Sequence, residues 1–327
     1  MRIAIIGAGG RLGAALLRAY RNKFDVTGFD RAQLDITNFD EVRAKLGARD
    51  FDLLINAAAF TRVDLCETQP EEAFRVNAEA PGVLAEICSK KGARLIHFST
   101  DYVFDGEKRL PYTEEDEARP ISVYGVSKLA GERNVLQVDS RYLVVRVSWV
   151  FGPDRPSFID AMIQRARESE TVDAVADKFS TPTYTLDIAA MLPRFFAPSP
   201  VAGIADPGKN IQAADFAGDT PAAAETGFND PGYSASDCGG ILHFANAGEC
   251  SWQQYAQWAI DCCRNLGLPM KARTVAPCKL ENMSKWIARR PVYSVLATAK
   301  YTGLTGAAPR TWRDAVSDYI TRFYSTR

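Results

Sequence analysis

The 327-residue chain has little of what marks several functional classes. It carries two histidines, His97 and His243, and seven cysteines with no Cys-x-x-Cys pair among them. An odd number of scattered thiols favours neither a disulfide framework nor a zinc cluster. Adjacent Cys262 and Cys263 fall in a helical pattern as small hydrophobes. Both histidines fall in strand patterns and read as packed side chains, so no metal is expected. Net charge is −1, and no field draws the chain to nucleic acid or to an anionic membrane. No stretch approaches the roughly 18 apolar residues of a membrane span. The apolar run in "MRIAIIGAGG" is too short for a signal peptide and leads straight into glycines. These shortages lead to the expectation of a reduced, cytoplasmic protein with neither a nucleic-acid nor a membrane partner. Hydrophobic content of 46% and charged content of 24% suit a globular chain, and the length suggests roughly two domains.

What the chain does have begins at its first residues. "RIAII" (residues 2–6) is a short β-branched run that ends at glycine, as a buried strand does. A glycine-rich turn follows, and then Leu12, Ala15, Leu16 and Ala19 at helical spacing. The glycines fit GxxGxxG at Gly7, Gly10 and Gly13; a GxGxxG reading fails because position 12 is Leu12. Such a turn aims backbone N–H groups and a positive helix end at an anion, commonly a pyrophosphate. "DVTGFD" (25–30) reads as a second strand that ends in Asp30, whose carboxylate can take both hydroxyls of an adenosine ribose. Arg31 follows at once and suits a 2′-phosphate instead. NADP(H) and NAD(H) both stay open.

Strands and helices then alternate to residue 150. "LDITNFDEVRAKL" (34–46) is a turn and a helix, with Asp35 or Thr37 as candidate caps. "DLLINAAA" (52–59) is a third buried strand that runs into small residues. Residues 67–90 read as one long helix with Pro70 near its start and Pro81 as a kink or break. "ARLIHFST" (93–100) is a fourth strand, 122–138 a helix, and "YLVVRVSWV" (142–150) a fifth strand. This order predicts an α/β fold, a doubly wound parallel sheet whose ligands lie beyond the strands' carboxyl ends. The expected division is a dinucleotide-binding domain at 1–150 and, over 151–327, mainly a substrate-binding cap with some segments returning to the sheet. Residues 198–239 stand apart as a surface insertion: 20 of the 42 are Ala, Gly or Pro, six are acidic and only Lys209 is basic. Order returns near 240, with Ser251 as an N-cap or first-turn residue of a helix.

The fourth strand delivers Ser99, Thr100 and Asp101 to the ligand edge. The helix after it carries "YGVSK", which sets Tyr124 and Lys128 four apart on one helical face. Chance readily supplies such a pair; its position beside a dinucleotide turn is what gives it meaning. A free phenol has a pKa near 10, and a nearby ammonium is expected to lower it. Tyr124 can then give its proton to a carbonyl oxygen as hydride reaches the carbon, with the Thr100 hydroxyl on the same oxygen.

"GAGGRLG", "LDIT", "NAAAFTRVD", "VNA", "FSTDYVFDG", "YGVSKLAGE", "RVSWVFG" and "RRPVYSVL" occur in this order. Together they resemble the extended short-chain dehydrogenase/reductase superfamily, and most closely the dTDP-4-dehydrorhamnose reductase family. The resemblance covers nearly the whole chain outside 198–239. It implies that Gly10, Arg11 and Leu12 lie on the pyrophosphate turn, Asp30 at the adenosine ribose, and Asp35 and Ile36 beside the adenine. It implies Ala57, Ala58 and Ala59 on the nicotinamide side with Tyr102 nearby. Thr100, Tyr124 and Lys128 form the implied catalytic set, and Lys128 also bonds the nicotinamide ribose. Thr100, Asp101 and Trp149 are implied to face the sugar. Arg290 belongs to the substrate-binding part, where it serves either a nucleotide diphosphate or a structural salt bridge. The implied activity is NAD(P)H-dependent reduction of the C4 keto group of a nucleotide-linked 6-deoxy sugar, with dTDP-4-dehydro-L-rhamnose as the leading substrate. Nucleotide-sugar 4,6-dehydratases carry an acidic residue right after Thr-Asp; Tyr102 stands there and argues against dehydration. Two alternatives remain. One is a reductase or epimerase of another nucleotide sugar. The other is a non-catalytic regulatory subunit of the same fold, against which an intact Thr100–Tyr124–Lys128 set argues. A nucleotide sugar is the expected partner molecule, and a homodimer the expected assembly where one forms.

Overall fold

In a computed structural model of the chain, residues 1–196 and 239–325 are described. The insertion expected at 198–239 lies, apart from Gly239, outside the described residues. The first half runs β1 (Arg2–Ile6), α1 (Arg11–Tyr20), β2 (Asp25–Phe29), α2 (Phe39–Gly47), β3 (Leu53–Asn56), α3 (Val63–Thr68), α4 (Pro70–Phe74), α5 (Ala80–Lys91), β4 (Arg94–Thr100), α6 (Val123–Val138) and β5 (Leu143–Val147). The second half runs β6 (Val150–Phe151), α7 (Phe158–Glu168), β7 (Val172–Val175), β8 (Phe179–Ser180), β9 (Thr183–Tyr184), α8 (Thr185–Met191), β10 (Gly240–His243), β11 (Cys250–Ser251), α9 (Trp252–Asn265), β12 (Val275–Cys278), α10 (Ala299–Thr305) and α11 (Trp312–Tyr324). None of the described helices is long and apolar enough to cross a membrane.

The apolar runs form one six-stranded parallel sheet in the order β10-β5-β4-β3-β1-β2. Successive strand residues point to opposite faces, so a continuously apolar strand needs cover on both sides. Ile3 and Ile5 pack on one face with Leu16 and Tyr20 of α1 and Ile188 of α8. Ala4 and Ile6 pack on the other with Val42 and Leu46 of α2 and Leu84 of α5. A fully buried Ile or Leu side chain contributes about 1.5–3 kcal/mol, which makes these two layers the main stabilising term. A further core joins Phe151, Ile159, Tyr184, Tyr255, Trp312 and Val316 from the second half. β1 lies between β2 and β3, so the chain winds off in opposite directions from it. A ligand crevice opens at such a switch point, outside the carboxyl ends of the strands.

Three local expectations are corrected. The helix read over 67–90 is broken. Gln69 is non-helical (φ −131°, ψ 58°), as the residue before a proline tends to be, and Pro70 opens α4. One turn of π-helix, Arg75–Glu79, then precedes α5. Pro81 has no N–H to give the carbonyl four residues back, and the Ala80 amide reaches Arg75 instead. The strand read over 142–150 stops at Val147: Trp149 has φ 45°, and β6 leaves the sheet to pair with β9. The cap of α2 is Asn38, whose side chain accepts from the Glu41 amide; Asp35 instead accepts from the amide and hydroxyl of Thr37. Ser251 caps α9 as expected, accepting from Gln254.

α6 lies on the sheet with polar side chains buried beneath it. Glu132 pairs with Arg146 of β5 at 2.7 Å, with side chains only 1% and 2% exposed. The Ser99 hydroxyl also donates to Glu132. Breaking a buried pair from one side costs about 3–5 kcal/mol, because the remaining charge is stranded. Arg146→Met is therefore expected to lower unfolding stability by about that amount in urea titrations. Adding Glu132→Leu should recover most of the loss, because no stranded carboxylate remains.

Candidate active site

The carboxyl ends of β1, β2 and β3 converge on a cavity of about 790 Å³. Gly7, Gly10, Asp30, Arg31, Asp35, Ile36, Ala57, Ala58 and Ala59 all line it. Gly7 has φ +80°, and a Cβ there would lie 2.7 Å from the Ala58 nitrogen. That position therefore excludes any side chain and lets the turn after β1 meet the end of β3. Gly13 sits where α1 crosses the same turn, with a would-be Cβ 2.1 Å from the Gly7 carbonyl oxygen. The Leu12 side chain packs against the core beneath this turn. α1 starts at Arg11 with no side-chain cap, so its first amides lack a side-chain acceptor at the cap, a helix end suited to an anion. The donor set, the bare turn and the cavity fit a dinucleotide.

Asp30 accepts from the Gln33 amide at 2.9 Å. Arg31 is exposed and reaches Glu72 at 3.6 Å and Asp35 at 4.0 Å. The cavity thus holds both groups whose roles compete in the sequence. The Arg11 guanidinium does not face the cavity. It donates to the carbonyls of Val150, Arg155 and Pro156, which leaves only its backbone on the turn. Arg155 makes the reverse contact, donating to the Gly9 carbonyl at 2.9 and 2.6 Å while it lines the cavity. Nothing in the sequence pattern marked Arg155, because its partner is 146 positions away.

At the end of β4, Thr100 is 6% exposed. Its hydroxyl accepts from the Tyr102 amide at 3.2 Å, donates to Asp101 at 3.1 Å and lies near enough to the Tyr124 phenol to act on its titration. Burial pushes the phenol above its ordinary pKa, and Thr100 pulls it back only in part. This corrects the expectation that the ammonium lowers it. Lys128 is 1% exposed and gives its Nζ to the Phe98 carbonyl at 2.6 Å, with His97 Nε2 at 3.3 Å. Burial lowers its pKa to about 8, against an opposing pull from Glu132. The Tyr102 ring meets Tyr124 edge-on at 5.5 Å.

Asp101 does not offer a surface to a sugar. It is 3% exposed, and its oxygens accept from Thr100, Ser148 and Ser294. Burial raises its pKa, and Lys178 and the three hydroxyls oppose that. Its geometry is that of a brace for Thr100. Arg290 forms a 2.6 Å ion pair with Asp64 and donates to the Ala288 carbonyl, with its guanidinium 4.0 Å over Trp286. Of the two roles open in the sequence, this is the structural salt bridge. It ties the segment after β12 to α3. Trp149 stacks at a tilt on Trp252 (5.1 Å) and Phe158 (5.3 Å), as part of an aromatic wall.

Sequence reasoning passed over Asn77. Its amide accepts from the Phe60 N–H, donates to the Phe60 carbonyl and donates to Ser127 Oγ. It thereby fixes the small-residue stretch after β3 to the helix of Tyr124 and Lys128. The only signals were "VNA" and the proline that follows, and neither reveals a π turn. Among the described residues no group of three or more His, Cys, Asp or Glu is placed to hold a metal.

The family described as "RmlD substrate binding domain" matches residues 1–199 and 213–325. A dTDP-4-dehydrorhamnose reductase of Mycolicibacterium smegmatis is 35% identical over 98% of this chain and 85% of its own. A probable dTDP-4,6-dihydroxy-2-methyloxan-3-one 4-ketoreductase of Streptomyces antibioticus is 34% identical over 97% of this chain and 94% of its own. The crystal structure of dTDP-4-dehydrorhamnose reductase from Bacillus anthracis in complex with NADP superposes with a TM-score of 0.81 at 27% identity, covering 98% of this chain and 99% of that one.

Gly7→Ala tests the turn. A side chain forced into left-handed backbone costs of order 1–3 kcal/mol. Dinucleotide affinity, read by NADPH fluorescence titration, is expected to fall about ten- to hundredfold. An unchanged Kd in a folded variant would show that the turn does not hold the dinucleotide.

Proposed function

The chain belongs to the dTDP-4-dehydrorhamnose reductase family, and from that premise we propose that it reduces the C4 keto group of a dTDP-linked 6-deoxy sugar with NAD(P)H. The leading substrate is dTDP-4-dehydro-L-rhamnose and its product dTDP-L-rhamnose. One observation carries the reading: at the end of β4 a buried Thr100–Tyr124 pair, with Lys128 one helical turn on, packs through Tyr124 with Phe60, a residue that lines the dinucleotide cavity.

When bound, NAD(P)H supplies the hydride. The backbone amides of the glycine turn and the start of α1 receive the pyrophosphate, and Asp30 receives the adenosine ribose. Ala57, Ala58 and Ala59 present small side chains to the nicotinamide side. The hydroxyls of Thr100 and Tyr124 hold the sugar's C4 oxygen, and Tyr124 gives that oxygen its proton. A phenol raised by burial keeps its proton through neutral pH, which a donor needs. The phenolate left behind is met by the ammonium form of Lys128. Asp101 holds Thr100 in register for this task. Trp149 and its aromatic neighbours face the sugar side, and residues 151–327 form the greater part of the substrate-binding cap. The reaction runs in the cytoplasm, and light scattering reads whether it does so on a homodimer.

A second reading keeps the chemistry and changes the sugar. The similarity to the Streptomyces antibioticus ketoreductase, 34% against 35% for the mycobacterial reductase, supports it almost equally. Oxidation of NADPH and NADH with dTDP-4-dehydro-L-rhamnose, with mass and NMR analysis of the product, separates the two. Product with the expected stereochemistry at C4 supports the first, and turnover only with another dTDP-keto sugar supports the second. Tyr124→Phe is expected to lose about 10²–10⁴-fold in kcat while its Kd for NADPH stays unchanged. Normal turnover in that variant would remove Tyr124 from the mechanism.

A further inference from the structure

Lys128 does not stand alone beneath the site. Asn56 of β3 and His97 of β4 are cross-strand neighbours in register, and both are fully buried. Asn56 Nδ2 lies 3.0 Å from His97 Nδ1. The other end of that amide is fixed, because Asn56 Oδ1 accepts from the Ala58 N–H at 3.1 Å. The NH2 group therefore faces the ring, and Nδ1 must be the acceptor. A neutral imidazole with an acceptor at Nδ1 carries its proton on Nε2. That N–H points at Lys128 Nζ, 3.3 Å away.

An ammonium has three donors and no acceptor, so it would meet the imidazole N–H donor to donor. A neutral amine has a lone pair. It can accept from His97 while it donates to the Phe98 carbonyl at 2.6 Å. Only the neutral amine makes both contacts hydrogen bonds. We propose that His97 is a positioning residue for Lys128: with its tautomer set by Asn56, it donates through Nε2 and holds the lysine as a neutral amine turned onto the Phe98 carbonyl in the cofactor-free protein. The ammonium form then arises by proton uptake from solvent when Lys128 leaves this cradle. The desolvation that lowers its pKa to about 8 acts in the same direction. Burial also keeps the His97 ring neutral.

The other charged and titratable groups around Lys128 are few. On its own helix they are Tyr124 and Glu132, and Glu132 is engaged by Arg146 of β5 and Ser99 of β4. Asp101, after β4, acts on Tyr124 together with Cys66 of α3. Glu67 of α3 accepts from the Val123 amide at the helix start. The π turn presents the neutral Asn77 to Ser127. Of the described titratable groups on β3 and β4, only His97 reaches Nζ directly, so it is the group whose removal should move the lysine.

The role of Lys128 in turnover rests on the reductase reading, but the first test does not. 15N NMR of the full-length, cofactor-free protein with labelled histidine and lysine reads both the tautomer and the titration. The His97 ring is expected as the Nε2–H tautomer, and Lys128 to titrate near 8 rather than at the ordinary value of about 10.4. In Asn56→Asp the carboxylate accepts from Nδ1–H and turns Nε2 into an acceptor, so Lys128 should titrate at least one unit higher. His97→Gln, whose amide can turn its oxygen to the ammonium, should move it the same way and serves if the first variant fails to fold. An Nδ1–H tautomer in the wild type overturns the proposal. So does a Lys128 that titrates as an ordinary lysine, or one whose titration stays fixed in a folded variant. In the kinetic arm, the alkaline limb of kcat/KM for NADPH should move up with the lysine. That gives the His97→Gln enzyme about tenfold more of its maximal activity at high pH than wild type retains. A limb that stays in place while the lysine moves overturns the link to turnover. Absence of turnover with every dTDP-keto sugar counts against the reductase reading and leaves the NMR outcome standing.

Discussion

The structure turns on how α6 sits on the sheet. A helix that sends a lysine and a glutamate into a protein interior can dock only where both are met, because an unsatisfied buried polar or charged group is far too costly. Glu132 finds Arg146 and Ser99, while Lys128 finds the Phe98 carbonyl and the His97 ring. These contacts fix the height and rotation of the helix over β4 and β5. Tyr124, one turn before Lys128, then has one place to be, against the hydroxyl of Thr100. The apolar layers stabilise the fold, but they would tolerate a helix shifted along its axis. The polar contacts would not.

That docking also sets the chemistry's resting state. Burial keeps the Tyr124 phenol protonated, and the lysine spends its hydrogen bonds on the sheet rather than on the phenol. The phenol is therefore held protonated rather than as a phenolate. Asp101 supports it from the other side. A carboxylate with three hydroxyl donors around it holds Thr100 and also the chain at Ser148 and Ser294. One buried acid therefore joins β4, the end of β5 and the segment after β12.

Arginines carry much of the rest of the long-range connection. Arg11 and Arg155 exchange contacts between the glycine turn and the loop after β6, and Arg18 adds an ion pair with Asp154. Arg290 ties the far segment to α3 through Asp64. A planar guanidinium with several donors suits this work, since it can satisfy loop carbonyls that no strand or helix pairs. In consequence the cavity, lined by the first half of the chain, also gains Arg155 from the second.

The sequence by itself determined the sheet, the glycine turn and the candidate pair of Tyr124 and Lys128. Each of these is written in a local pattern: β-branched runs, glycines at fixed spacing, and a tyrosine four residues from a lysine. The same patterns carried the family resemblance. Only the tertiary structure decided what those side chains touch. The break at Trp149 and the commitment of Arg290 to Asp64 depend on partners distant in the chain. So does the line from Asn56 through His97 to Lys128. His97 reads in the sequence as one more buried residue of a strand. Its proton points at Lys128 because β3 and β4 pair in register and the Ala58 amide fixes Asn56, and no local pattern encodes either.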